Sequence, residues 1–290
     1  MNECLKELSF TANAKLNLYL DITGRRRDGY HTLETVMQSI DLADYVTVRR
    51  VEGAGITISC SNPLIPTDRR NICHKAAVNY FNAVEKSMGV EIAIDKRIPH
   101  AAGLGGGSAD AAAVLRALNI LNGNALSEEA LLQVAAKTGA DVPFCMTGGI
   151  KLCRGIGDEL TDIEAFPERV YLVIMPDFLC DTKGAYCEYD KNPLPRRNGL
   201  AKFLKSGSDF PQKMYNVFRV LYENEKIAEI LDRLTAHGAQ GAELSGSGAA
   251  VFGIFDDVQS ASAAAREFPT LFTAVCRPAQ SGIISDSALV

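Results

Sequence analysis

The chain of 290 residues contains no tryptophan, only four histidines, and no Cys-x-x-C pair among its eight cysteines. The histidines lack metal-ligand spacing and the cysteines, at positions 4, 60, 73, 145, 153, 180, 187 and 276, are scattered. That pattern excludes a zinc ribbon, a redox dithiol and a disulfide scaffold, and the thiols are expected to be reduced, in or near the core. No uninterrupted apolar run approaches the roughly 20 residues that cross a bilayer, and the start of the chain, with Glu3, Lys6 and Glu7, lacks a signal-peptide core. A cytoplasmic protein without a membrane partner is expected. Excess positive charge is also missing: 30 Lys and Arg against 35 Asp and Glu give a net charge of −5, and Arg25-Arg26-Arg27 is too short a cluster to attract nucleic acid. With 47% apolar and 22% charged residues, the composition is that of an ordinary globular chain, long enough for about two domains. It leaves monomer or homodimer open.

A further absence decides how the most glycine-dense stretch is read. Pro99-His100-Ala101-Ala102-Gly103-Leu104-Gly105-Gly106-Gly107-Ser108-Ala109-Asp110 runs into an alanine-rich helical segment, and the next lysine is Lys137. A Walker A loop needs a lysine directly after its glycines, and a dinucleotide fingerprint needs a glycine where Ser108 stands. What remains is a backbone cradle: successive N–H groups turned toward an anion, backed by the positive end of a helix dipole. A nucleoside triphosphate is the expected ligand. The plain alternative is a flexible loop capped by Ser108.

Period-two alternation predicts strands at 8–22, 31–40, 45–51, 55–60 and 90–97, with a charged turn at 24–29. Helices are expected at 70–87, at 107–121, and after Ser127, whose hydroxyl suits an N-cap followed by Glu128 and Glu129. Gly148-Gly149 and Gly155-Ile156-Gly157 punctuate the end of this unit, which places a boundary near 157 and divides the chain into 1–157 and 158–290. The second part reads as a strand, Val170-Tyr171-Leu172-Val173-Ile174-Met175, and a polar connection over 190–207. Two helices to about 237, a glycine-rich turn, a strand at 249–255, a helix at 257–266 and a strand at 271–277 follow. The fold class is α+β, with the helices on one sheet face.

Phosphoryl transfer asks little covalent chemistry of a protein: the phosphates must be held, the acceptor hydroxyl aligned, and the moving charge neutralised. Asp141, in Gly139-Ala140-Asp141-Val142-Pro143, is placed either to accept a hydroxyl proton or to cap its own turn. Lys15, in Ala12-Asn13-Ala14-Lys15-Leu16-Asn17-Leu18, is a charge in an apolar strand; it lines a cleft and is paired, or it leaves an edge strand for solvent. If the two pair, the ammonium also stabilises the attacking oxygen. Ser245-Gly246-Ser247-Gly248 is a second glycine turn, either structural or the far wall of an interdomain cleft. Asp28-Gly29-Tyr30-His31 is a hairpin turn or a base-recognition patch, with Tyr186 as a candidate opposite face.

Taken together, the segment Ala14-Lys15-Leu16-Asn17-Leu18, the loop from Gly103 to Ser108 and the turn from Ser245 to Gly248 resemble, in order and spacing, the three motifs of the GHMP kinases. The resemblance spans nearly the whole chain. It implies a two-domain fold, ribosomal-protein-S5-domain-2-like followed by ferredoxin-like, with ATP and Mg2+ used in the cleft between. It further implies a catalytic pair at Lys15 and Asp141. ATP contacts are implied at Pro99, Ala101, Ala102, Gly103, Leu104, Gly105, Gly106, Gly107 and Ser108, with Asn71 and Lys96 near the adenosine. Arg27-Asp28-Gly29-Tyr30-His31 and Gly139-Ala140-Asp141-Val142-Pro143 are similar to the branch whose small-molecule acceptor carries a cytidine diphosphate. For that branch Asn17 and Thr182 face the polyol, and Tyr30, His31 and Tyr186 face the base. Ser108 is the candidate metal ligand. Two departures stand out: a tyrosine at 186 where relatives often have phenylalanine, and Ala249 where many have proline. Rival readings are a mevalonate-type kinase or decarboxylase, disfavoured because a small acid offers no base to stack, and a catalytically silent nucleotide sensor, disfavoured by intact Lys15 and Asp141.

Overall fold

The computed structural model describes residues 6–222 and 224–286; Cys4 lies outside them. Two long strands, β1 (Glu7–Arg25) and β2 (His31–Val51), pair antiparallel along their whole length and form the spine of the first sheet. The sequence reading expected two strands where β2 is one. Asp44, in the expected gap, stays in the strand, and its buried carboxylate accepts hydrogen bonds from the backbone N–H groups of Arg97 and Ile98.

Strands β3 (Gly55–Cys60) and β4 (Gly89–Asp95) extend the sheet beyond β2, separated in sequence by helix α1 (Ile72–Val84). That helix stops three residues before the expected 87 because Glu85 turns into the left-handed region at φ 52°. Helix α2 (Gly106–Leu121) follows the glycine loop, and α3 (Glu128–Thr138) is capped by Ser127, whose side chain accepts from the Ala130 N–H. The short α4 (Val142–Thr147) leads to the hairpin β5 (Ile150–Arg154) and β6 (Glu159–Asp162), which pairs onto β2.

The second sheet begins at β7 (Val170–Met175). Helix α5 (Thr182–Lys191) ends just inside the stretch expected to be a polar connection, α6 (Leu200–Leu204) lies within it, and a 3-10 turn (Gly207–Lys213) begins at its end. Then come the two-residue β8 (Tyr215–Asn216), α7 (Val217–Leu221), α8 (Glu225–Ala236), β9 (Gly241–Leu244), β10 (Val251–Phe255), α9 (Val258–Ala265), β11 (Phe272–Cys276) and β12 (Ile283–Ser285). The order β11-β7-β10-β9 is antiparallel throughout, the ferredoxin-like arrangement. Strands β5, β6, β8, β9 and β12, two to five residues long, were not expected. Strands β8 and β12 return to pair with β1, so the far half of the chain is stitched into the first sheet.

One irregularity positions the site. Leu8, Phe10 and Ala12 of β1 pack in the core beneath α1, α2 and α4, whereas Ala14, Leu16 and Leu18 belong to the core shared with the second sheet. The register shift between Asn13 and Ala14 makes the exchange. There β1 advances by one residue while β2 runs from Ala43 to Ile40, and the even-numbered side chains of β1 pass from one core to the other across this irregularity. Lys15 and Asn17 are thereby turned toward the start of α2, and a strand that is interior to its sheet carries a buried lysine, not an edge lysine reaching solvent.

Candidate active site

Lys15 is 4% exposed, and its ammonium donates to Oδ1 of Asn17 at 2.7 Å and lies 3.4 Å from the Asp141 carboxylate. Asp141 is the residue before α4, yet its side chain makes no capping hydrogen bond there. The capping alternative therefore does not hold, and the carboxylate, about a third exposed at 30%, is turned into the cleft. Asn17 is oriented in turn by Thr35: the Asn17 amide donates to the Thr35 hydroxyl at 2.8 Å, and that hydroxyl donates to the Tyr19 carbonyl at 2.7 Å. Because Thr35 settles which end of the amide faces the lysine, it belongs to the site; only its even spacing within β2 could have pointed to it.

The glycine loop is tied down by its carbonyls. Lys15 N–H donates to the Leu104 carbonyl at 2.9 Å, the Ala250 N–H to that of Ala102 at 3.1 Å, and the Ser245 hydroxyl to that of Gly103 at 3.0 Å. Gly103 and Gly105 sit at φ +76° and +73°, in the left-handed region that glycine enters without strain. A Cβ on Gly103 would lie 2.1 Å from the Ser245 carbonyl oxygen, so the two glycine turns touch and one requires the other. The N–H groups of Gly106, Gly107 and Ser108 open α2, where no preceding turn supplies a carbonyl, and the helix dipole adds to them.

Two cavities meet at this loop. One of 390 Å³ is lined by all eleven residues expected to contact ATP: Asn71, Lys96, Pro99, Ala101, Ala102, Gly103, Leu104, Gly105, Gly106, Gly107 and Ser108. The other, of 540 Å³, is lined by Lys15, Asp141, Asn17, Tyr30, His31, Thr182 and Tyr186, together with Gly246 and Ser247 of the third motif. Gly103, Gly105 and Ser108 border both. Ser245 and Gly248 do not line it; Ser245 holds the loop, and Ser247 exchanges a 2.8 Å hydrogen bond with Thr182.

Inside the smaller cavity the residues differ in availability. Asn71 is the N-cap of α1, accepting from the Cys73 N–H and donating to the Pro66 carbonyl. The Lys96 ammonium is buried between Asp44 and Asp110, with 2.7 Å to the latter. Burial opposes the lysine charge, but the Asp110 and Asp44 carboxylates outweigh it and raise its pKa. Burial pushes Asp110 up to about 7 against the pull of Lys96. Neither carboxylate was expected at the site, since nothing in the sequence links positions 44 and 110 to 96.

At the outer end of the larger cavity, the His31 ring stacks on Tyr186 with centroids 4.9 Å apart and planes at 23°, and meets Tyr189 edge-on at 5.9 Å. Tyr186 also meets Phe218 edge-on at 5.0 Å, so it supports the imidazole in addition to bordering the cavity. Tyr30 is 61% exposed and borders the same space. Burial, then the Asp141 charge, raises the Tyr186 phenol above its ordinary value. Of the cysteines, Cys73, Cys145, Cys153 and Cys276 are buried and Cys60 and Cys180 partly so, but Cys187 is exposed at the border of the larger cavity, a departure from the expected core placement.

Among the described residues no group of three or more His, Cys, Asp or Glu side chains could hold a metal ion. Asp141 and Ser108 are oxygen donors bordering the larger cavity, and this sparse set fits Mg2+, which keeps most of its shell for phosphate and water. No described helix is long and apolar enough to cross a membrane.

Such a site, set between an S5-like and a ferredoxin-like lobe, defines a GHMP kinase: the models of the GHMP kinase N-terminal and C-terminal domains match residues 71–149 and 200–274. Relatives narrow the class. The chain is 39% identical over 264 residues to the 4-diphosphocytidyl-2-C-methyl-D-erythritol kinase of Clostridium botulinum strain Eklund 17B, covering 88% of this chain and 93% of that protein. It is 38% identical over 263 residues to the kinase of the same name from Clostridium acetobutylicum, with 88% and 93% covered. The chain belongs to this family. A crystal structure of 4-(cytidine 5'-diphospho)-2C-methyl-D-erythritol kinase superposes with a TM-score of 0.77 at 31% identity, over 93% of this chain and 99% of that one. A homoserine kinase from Cytophaga hutchinsonii, at 20% identity and a TM-score of 0.75 over 98% and 99% of the two chains, shares the fold.

Proposed function

We propose that the chain transfers the γ-phosphoryl group of ATP to the 2-hydroxyl of 4-diphosphocytidyl-2-C-methyl-D-erythritol, a step in the non-mevalonate route to isoprenoid precursors. The observation that carries the reading is the Lys15–Asp141 pair, which borders the larger cavity beside the loop that both cavities share. With the lobes taken as 1–157 and 158–290, the smaller cavity is lined by the first alone and takes the nucleotide; the larger is lined by both and takes the acceptor.

In this assignment Asp141 accepts the proton of the acceptor hydroxyl, an acid-base role worth about a hundredfold to ten-thousandfold in rate. Lys15 lies against the same carboxylate and stabilises negative charge on the attacking oxygen and the moving phosphoryl group. Asn17, held by Thr35, keeps the ammonium aimed and lies within reach of the polyol. The free N–H groups at the start of α2 hold phosphate oxygens. Tyr30 and His31 receive the pyrimidine, and Thr182 lies near the hydroxyls of the acceptor. Mg2+, when bound through Asp141 or Ser108, supplies further neutralisation of phosphate charge.

The test is ADP release by the purified protein with 4-diphosphocytidyl-2-C-methyl-D-erythritol, compared with mevalonate, homoserine and galactose, and product identification by mass spectrometry. Turnover with the cytidine acceptor alone, yielding its 2-phosphate, is expected. Faster turnover of mevalonate or homoserine would reject the assignment.

A further inference from the structure

Asp190 has no place in the scheme above, yet it reaches from α5 across the mouth of the larger cavity to the hairpin of β1 and β2. One carboxylate oxygen lies 2.7 Å from Nε2 of His31 and the other 3.2 Å from the Arg25 guanidinium. The His31 side chain is 8% exposed, and its ring is fixed by three contacts: the carboxylate at its edge, the face of Tyr186 and the edge of Tyr189. Nδ1 makes no hydrogen bond to any described residue and is the ring atom left for a ligand.

A carboxylate oxygen only accepts hydrogen bonds, so the imidazole nitrogen beside it carries the proton. Which nitrogen of a histidine is protonated is set by the bond the other one makes. We propose that Asp190 is a positioning residue that sets pyrimidine preference: it holds the proton on Nε2 of His31 and leaves Nδ1 as an acceptor for the exocyclic amine of cytosine. A uracil ring presents a 4-oxo group at the same place, and two acceptors then face each other in a partly desolvated site. A site built to pair a polar group discriminates strongly against an analogue that cannot make the pair. The proposal rests on the assignment of the cytidine-bearing acceptor to the larger cavity.

The experiment compares kcat/KM for 4-diphosphocytidyl-2-C-methyl-D-erythritol with that for its uridine analogue, in the wild type, Asp190→Asn and Asp190→Glu. The carboxamide of Asp190→Asn can turn its NH2 toward Nε2, which then accepts, and the ring proton moves to Nδ1, where it suits the uracil oxygen. The wild type is expected to prefer cytidine by about a hundredfold or more, and Asp190→Asn to retain less than about tenfold. The loss falls on KM for the cytidine acceptor and not on KM for ATP, and Asp190→Glu, which keeps an acceptor-only partner, recovers most of the preference. Nitrogen-15 NMR of the imidazoles reads the tautomer independently: protonation at Nε2 alone in the wild type and at Nδ1 in Asp190→Asn. Undiminished preference in Asp190→Asn, or a wild-type ring protonated at Nδ1, overturns the proposal while leaving the kinase assignment standing. A wild-type enzyme that turns over neither pyrimidine acceptor overturns that assignment, and the proposal with it.

Discussion

Lys15 and Lys96 are both buried lysines beside the same glycine loop, and their surroundings give them opposite parts. Lys15 has one carboxylate at 3.4 Å, itself open to the cavity, and a neutral amide as its other partner. Lys96 is enclosed by two carboxylates, Asp44 fully buried and Asp110 nearly so. A charge with one partner at the wall of a cavity can still act on a ligand. A charge enclosed by two opposite ones is structural, and removing it leaves both carboxylates uncompensated in the interior. Counting the carboxylates around an ammonium therefore tells more about its role than its burial does.

That contrast can be broken most directly at Asp141. Asp141→Asn is expected to lower kcat by about a hundredfold to ten-thousandfold with little loss of stability, since the removed charge is partly solvated. Near-normal turnover would remove the proton-acceptor role. Lys96→Met should do the reverse, costing about 3–5 kcal/mol in urea denaturation through the two stranded carboxylates. A Lys96→Met variant of normal stability that fails only in ATP binding would give this lysine a ligand role and dissolve the comparison. The loop offers a finer test. Gly103→Ala places a Cβ 2.1 Å from the Ser245 carbonyl oxygen at φ +76°, whereas at Gly107 the nearest atom, Ile72 Cγ2, is at 3.4 Å. ATP affinity measured by calorimetry should fall by about tenfold or more for Gly103→Ala, a strained substitution at a left-handed position, and change little for Gly107→Ala. Gly106 is a poorer probe, because its Cβ would meet Ile98 and the Lys96 ammonium in the protein itself.

The smallest effect concerns pH. The Asp110 carboxyl is pushed by burial from its ordinary 3.8 up to about 7, so the folded state binds its proton more tightly than the unfolded chain does. Its contribution to stability is fully present below 3.8 and is lost as pH rises through about 7. Urea denaturation across that window should show a falling stability that Asp110→Asn flattens. Glu243, also raised to about 7 by burial against the pull of Arg219, keeps its own share of the slope. An unchanged slope in Asp110→Asn would mean that Lys96 neutralises both of its carboxylates.

Much of the site was legible in the sequence because its chemistry is local. The glycine loop, Ser127 as a cap, and a lone acid after α3 are read within a few residues of one another. What could not be read depends on register and long-range pairing. Lys15 was legible as a charge in an apolar strand but not as lining a cleft or leaving an edge, since the register shift between Asn13 and Ala14 and the interior place of β1 decide it. Lys96 was expected near the adenosine, and its confinement between Asp44 and Asp110 needs partners 52 and 14 residues away. Tyr186 was expected to present a free face to the base; the structure stacks His31 against it, through a contact between a hairpin and a helix more than a hundred residues apart.

The glycine loop also works as a filter for sign. The carbonyls of Ala102, Gly103 and Leu104 all point to protein donors, and that of Gly105 accepts from the Ala109 N–H. The surface left for a ligand is therefore lined with hydrogen-bond donors without relying on a charged side chain. Such a surface favours anionic groups, and its grip strengthens with every phosphate added to the guest, so that adenosine, ADP and ATP should occupy it in ascending order of strength.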